Sequence, residues 1–148
     1  METTHTTVET FFRSFESNNN KHDFSASVAQ FADTFMAAGP QGAQCVKASD
    51  FALALPKRKQ LFSSFGCESM KLVSVDPRSL DDRYALAHTR WELNFTDAQP
   101  STPAIFVNST FVIDTTENRI VLYLAHQDIM EIFKERRSLQ LEATQNPI

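Results

Sequence analysis

A chain of 148 residues with 42% hydrophobic and 22% charged side chains has the length for one domain and the composition of a globular one, which excludes disordered, collagen-like and disulfide-scaffold classes. A formal charge of -4 gives no electrostatic pull toward a phosphate backbone or an anionic membrane, so neither nucleic acid nor membrane is expected as a partner.

Val8, Phe11, Phe12 and Phe15 stand at the i, i+3, i+4, i+7 spacing of one helical face. Thr6 and Glu9 are spaced for a capping box, and Asn18 to Asn20 supply the stop. Phe24, Val28, Phe31, Ala32 and Phe35 repeat that face and predict a second helix, capped by Asp23 or Ser25 and ended by Gly39-Pro40. Ala43 to Ala48 reads as a short strand. Ser49-Asp50 then offers an N-cap for a third helix over Phe51 to Phe65, with Leu55, Phe62 and Phe65 on the side of Phe51, Pro56 opening or kinking it and Gly66 closing it. Within that helix Lys57-Arg58-Lys59 is the one dense basic run, which suits either an anion site or a solvated helix face.

From Glu68 the period changes to alternation. Met70 to Val75 leads to an Asp76-Pro77 turn, Arg83 to Phe95 to a loop at Pro100 and Pro103, Ala104 to Ile113 to a turn over Asp114 to Asn118, and Arg119 to His126 completes an antiparallel meander. Ile129, Ile132, Phe133 and Arg136 return to helical spacing over Asp128 to Leu139, and residues 1–5 and 140–148 read as tails. Helices first and hairpins after is the order of an α+β domain, here a single one over residues 1–148. The 13 phenylalanines and the single tryptophan supply rings to fill the space between helices and sheet, and strands as long as Arg83 to Phe95 must twist, so the sheet is expected to curve around the helices.

The segments Phe31 to Pro40 (Phe-Ala-Asp-Thr-Phe-Met-Ala-Ala-Gly-Pro), Arg90-Trp91-Glu92-Leu93-Asn94-Phe95 and Arg119 to Asp128 (Arg-Ile-Val-Leu-Tyr-Leu-Ala-His-Gln-Asp), in this order of elements, carry a resemblance over roughly Val8 to Arg137. The chain resembles the nuclear-transport-factor-2-like superfamily, specifically its SnoaL-like branch. The resemblance implies a cone-shaped α+β barrel with three N-terminal helices packed on a curved antiparallel sheet and a short C-terminal helix. It also implies a pocket between sheet and helices and a homodimer formed through the outer sheet face. Members of that superfamily include isomerases, cyclases and dehydratases as well as non-catalytic binding and interaction domains. In its isomerases a carboxylate near the strand after the second helix acts as base; Ala43 to Ser49 holds none, and the nearest, Asp50, is accounted for by the helix start.

Alternation along Arg83 to Phe95 sends Ala85, Ala87, Thr89, Trp91 and Leu93 toward the helices and His88, Arg90 and Glu92 to the other face, which with Tyr123 suits the dimer contact. Trp91 then looks into the cone, its indole N–H either orienting a ligand or bonded to a core backbone carbonyl. Thr89, Phe35 and Phe111 join it in the expected lining. Ile120, Leu122, Leu124 and His126 alternate on one apolar face, so His126 is the general-base candidate, kept neutral by burial. Asp128 either orients that ring or caps the final helix together with Glu131.

His88 and His126 are expected on opposite sides of the sheet, and His5, His22, His88 and His126 show no metal-ligand pairing. Three scattered glycines build no phosphate loop, so neither metal nor cofactor is expected. The first fifteen residues lack a signal-peptide pattern, and the longest apolar run, Ile120 to Ala125, is far short of the ~20 residues that cross a bilayer. A cytoplasmic location with Cys45 and Cys67 as free thiols is the expectation.

The leading reading is a homodimer binding an apolar or aromatic small molecule in its cone, which calls for a cavity of about 300 Å³ or more beneath Trp91 and His126. One alternative is an isomerase, cyclase or dehydratase, lyase-like and metal-free, with His126 as base. The other is a dimeric interaction module without a ligand.

Overall fold

Ten elements follow one another in the computed structural model, which describes the backbone of residues 2–145 and the side chains of residues 5–142. In chain order they are α1 (Glu2–Asn20), α2 (Phe24–Ala29), β1 (Phe31–Gly39), β2 (Gly42–Lys47), α3 (Ala48–Ser64), β3 (Cys67–Ser79), β4 (Tyr84–Phe95), β5 (Ile105–Asp114), β6 (Arg119–Ala125) and α4 (Ile129–Gln145). The strands form one sheet in the order β2-β1-β6-β5-β4-β3. Every neighbouring pair is antiparallel except β1 with β6. This is the α+β architecture expected, with three helices before the meander and a curved, unclosed sheet. Single-residue register shifts in β3 and between β5 and β6 give the strands local bends, as bulges do.

α1 buries the expected face, with Val8, Phe11 and Phe12 in the core. It starts at Glu2, so Thr6 lies inside the helix and the Thr6–Glu9 capping box does not form. Residues 2–5 and 140–145, expected as tails, are helical; Met1 and 146–148 lie outside the described residues. α2 is capped by the Asp23 carboxylate, which accepts from Ala26 N–H at 3.1 Å, but it stops at Ala29. The rest of the expected second helix is β1. A spacing of four keeps Phe31 and Phe35 on one side under either period, and both are buried with ring centroids 4.5 Å apart. Backbone pairing to β2 on one side and β6 on the other decides in favour of the strand. A two-residue loop, Pro40-Gln41, joins β1 to β2, and Gly42 takes φ 123°, a value that favours glycine.

α3 begins at Ala48 with Lys47 as an N-cap that makes no side-chain bond, so Ser49 and Asp50 lie in its first turn rather than capping it. Pro56 sits within the helix, and Gly66 ends the turn after it at φ 84°. β3 runs on to Ser79 with Pro77 paired opposite Ala87, where a turn at Asp76-Pro77 was expected. β3 is an edge strand, which tolerates a residue without an N–H. The turn comes later, where Asp81 accepts the N–H groups of Arg83 and Tyr84 at 2.8 and 2.7 Å.

The free edge of β3 is closed by polar side chains on one stripe of α1. Asn20 donates to Met70 O at 2.8 Å and accepts from Met70 N–H at 3.0 Å, Glu16 accepts from Leu72 N–H at 2.6 Å, and Arg13 donates to Leu72 O at 3.1 Å. The core between helices and sheet is aromatic, with Phe12 and Phe15 against Phe111, Phe15 against Trp91, and Phe62, Phe65 and Phe95 around Phe133 of α4. No described helix is long and apolar enough to cross a membrane.

Candidate functional site

β4 presents Ala85, Ala87, Thr89, Trp91 and Leu93 to the interior, as its alternation requires, and all five are buried. The Trp91 indole N–H is already engaged. It donates to Thr89 Oγ1 at 2.8 Å, two residues back on the same face, and that hydroxyl donates to Ser109 O at 3.0 Å. The partner is thus a threonine hydroxyl, and the ring contributes an apolar wall.

Below this wall lies a cavity of about 90 Å³ whose lining includes Phe15, Leu55, Phe62, Trp91, Phe111 and Tyr123. It shares Arg58, Met70, Ser109 and Tyr123 with a wider outer chamber of about 530 Å³ bounded by the β1–β2 hairpin, Val107, Ala125 and Ile129. The inner cavity under Trp91 falls short of the ~300 Å³ expected there, and His126 lines neither space; the chamber, which Trp91 does not line, has the size of a small-molecule site, with the inner cavity as its narrow end. Of the expected lining residues, Trp91 and Phe111 line the inner cavity. Phe35 packs on Phe31 and Phe51 and, like Thr89, is not in the wall of either space.

His126 is on the other side of the sheet. Ile120 pairs with Ile113 and Leu122 with Val112, so Val121 is an inserted residue and the alternation of β6 flips there. Tyr123 therefore faces in, its ring 5.1 Å from that of Phe111, and does not join the outer face as expected. His126 is exposed outside, with Nε2 2.6 Å from Thr110 Oγ1. His88 Nδ1 reaches the same hydroxyl at 3.0 Å, so the two histidines share a face rather than opposing each other. Asp128 does not orient the His126 ring. Its Oδ1 accepts from Met130 and Glu131 N–H at 3.0 and 3.3 Å, and its Oδ2 accepts from Gln41 Nε2 at 3.0 Å. The Gln41 bond first, then the helix N–H groups, hold its carboxyl below the usual range.

The residue that the sequence reading left open is Arg58. Phe51, Leu55, Arg58, Phe62 and Phe65 repeat at four and three residues along α3, and Leu55 and Phe62 are buried, so Arg58 stands on the inward stripe. Its guanidinium carbon lies 4.2 Å from the centre of the Phe62 ring. It is reachable by solvent, yet protein surrounds it, which is the position of a group inside a concavity. Burial pulls its pKa below the ordinary value, opposed by Tyr123 and Cys67.

Cys67 also lines the inner cavity; burial pushes its thiol up to about 11, against the opposing pull of Arg58, so it is a protonated, unreactive thiol at neutral pH. Both cysteines are free, Cys45 exposed and Cys67 buried. Among the described residues no three His, Cys, Asp or Glu side chains converge as a metal site would require.

No protein-family model matches the chain, and no curated protein does. Solved structures do. An NTF-2 like protein of unknown function from Shewanella oneidensis is 13% identical with a TM-score of 0.60, covering 81% of this chain and 96% of that one. A Nostoc punctiforme domain of unknown function with a cystatin-like fold is 14% identical with a TM-score of 0.64, covering 100% and 99%. A Xanthomonas campestris protein described as a "putative polyketide cyclase" is 14% identical with a TM-score of 0.55, covering 85% and 93%. At such identities the likeness is one of fold, and the chain has the nuclear-transport-factor-2-like, cystatin-like fold.

Proposed function

We propose that this protein is a cytoplasmic homodimer that binds an apolar or aromatic small molecule in the cone between sheet and helices. The observation that carries this reading is the ring-walled cavity opening into a chamber of about 530 Å³. Trp91 shows the cavity a ring whose only donor is already bonded, so the wall rewards apolar contact. The polyketide-cyclase description of the Xanthomonas campestris neighbour agrees with a ligand of that kind. The two free thiols accord with a reducing compartment. A base at His126 draws no support from the geometry, since the sheet separates it from the cavity.

Trp91 is the only tryptophan, so its emission reports occupancy of the cavity directly. Titration with naphthalene derivatives, sterols and polyketide-like aromatics is expected to give a saturable change in emission with a matching rise in melting temperature for at least one class. Unchanged emission with every class overturns the reading.

The dimer is proposed through the outer face, where Leu86, Val112, Leu122 and Leu124 are half-buried beside Arg90 and Glu92, charges of both signs suited to a self-complementary contact. Sedimentation velocity is expected to give twice the chain mass; a monomer at all concentrations overturns it.

A further inference from the structure

We propose that Arg58 anchors a carboxylate, so that the ligand is a monocarboxylic acid with an apolar or aromatic body. This rests on the cavity-binding reading above and adds the polar end of the molecule.

Three observations converge. Arg58 has no hydrogen bond or ion pair among the described residues and rests only on the Phe62 ring. Each of the other arginines has one: Arg13 with Leu72 O and Glu16, Arg78 with Asp76, Arg83 with Asp114, Arg90 with Asn108, Arg119 with Asp33, Arg136 with Asp97 and Arg137 with Ser64 O. The Arg58 side chain is exposed to solvent, so its guanidinium is solvated by water and free to exchange that water for an anion.

Position is the second observation. Arg58 lines both the inner cavity and the outer chamber, at the neck where an apolar body inside would meet a polar head outside. Company is the third. Ser109 and Tyr123 line the same neck, and neither hydroxyl has a hydrogen-bond partner among the described residues. One planar guanidinium with two hydroxyls matches the two oxygens of a carboxylate. Lys59 and Glu68 also line the inner cavity and offset each other, so with Arg58 the lining carries one net positive charge, which favours a monoanion over a phosphate dianion.

The test compares each acid with its neutral isostere. 3-Phenylpropanoate and 2-naphthoate are titrated by calorimetry at pH 7 beside 3-phenylpropanamide and 2-naphthamide. The acids are expected to bind the wild-type chain at least tenfold more tightly than the amides. Arg58→Gln is expected to abolish that preference, and Arg58→Lys to keep part of it.

Equal affinity of acid and amide for the wild-type chain overturns the carboxylate proposal while leaving cavity binding intact; this comparison needs no variant and stands if Arg58→Gln fails to fold. Binding of neither partner, together with silence of Trp91 across the neutral panel, overturns both readings. An inorganic phosphate arm that competes with the acids as strongly as acetate does, or more so, overturns the choice of carboxylate.

Discussion

Thr89 has one hydroxyl proton, which goes to Ser109 O, and its oxygen still accepts the indole N–H of Trp91. All three groups are buried, so the hydroxyl satisfies a donor and an acceptor that water cannot reach. Thr89→Val keeps the shape and leaves the buried indole N–H without its acceptor, while Ser109 stays paired with residue 89 in the β4–β5 ladder. Urea unfolding is expected to show a loss of about 1–3 kcal/mol, with Thr89→Ser close to wild type; a valine variant as stable as wild type sinks this account. The bond follows from the period of a strand, since residues 89 and 91 share a face. The sequence alone nonetheless leaves the indole a choice of partners, because it does not show which side the nearest oxygen takes. Arg58 was more legible than its basic run suggested. It is the one charge on the stripe of Phe51, Leu55, Phe62 and Phe65, whereas counted with Lys57 and Lys59 it looks like solvated surface.

Elements with a strong single period were read well, and those where two periods coincide were not. α1, α3 and the strands β4, β5 and β6 lie within a few residues of where their apolar spacing puts them. Phe31 and Phe35, four apart, satisfy a helix and a strand alike, and only the partners on either side of β1 separate the two. Asp76-Pro77 is a turn signal that an edge strand can absorb, because the missing N–H faces no neighbour. The inserted Val121 is the costliest omission for the site. Nothing in Arg119 to His126 marks a bulge, yet one extra residue exchanges the faces of Tyr123 and His126 and moves the expected base out of the cone. α1 shows the converse. Its apolar stripe was evident, while Arg13, Glu16 and Asn20 became meaningful only once β3 was known to be the edge whose backbone they complete.

Across the whole molecule, two carboxylate–arginine clamps stand at the two ends of β4, and they make its stability depend on acid. At the start Arg83 donates to Asp114 Oδ2 from Nε at 3.0 Å and from Nη2 at 2.7 Å, tying the β3–β4 turn to the β5–β6 turn. At the far end Arg136 donates to Asp97 Oδ1 at 2.6 Å and lies over the Phe95 ring, tying α4 to the end of β4. The Arg83 hydrogen bond, first of its causes, holds the Asp114 carboxyl below its ordinary value of 3.8, and the Arg136 bond does the same for Asp97. A carboxylate with a depressed folded pKa binds its proton more readily in the unfolded chain. Its contribution is therefore complete above the ordinary value and is lost as pH falls through 3.8 toward the lower folded value. Chemical-denaturation stability measured from pH 6 to pH 2 is expected to fall most steeply below about pH 4. Asp114→Asn is expected to flatten that fall. Asp97→Asn should do so less in high salt, because its carboxylate is half exposed and the ions screen it. A double variant with the same acid slope as wild type would show that the clamps do not couple folding to protons.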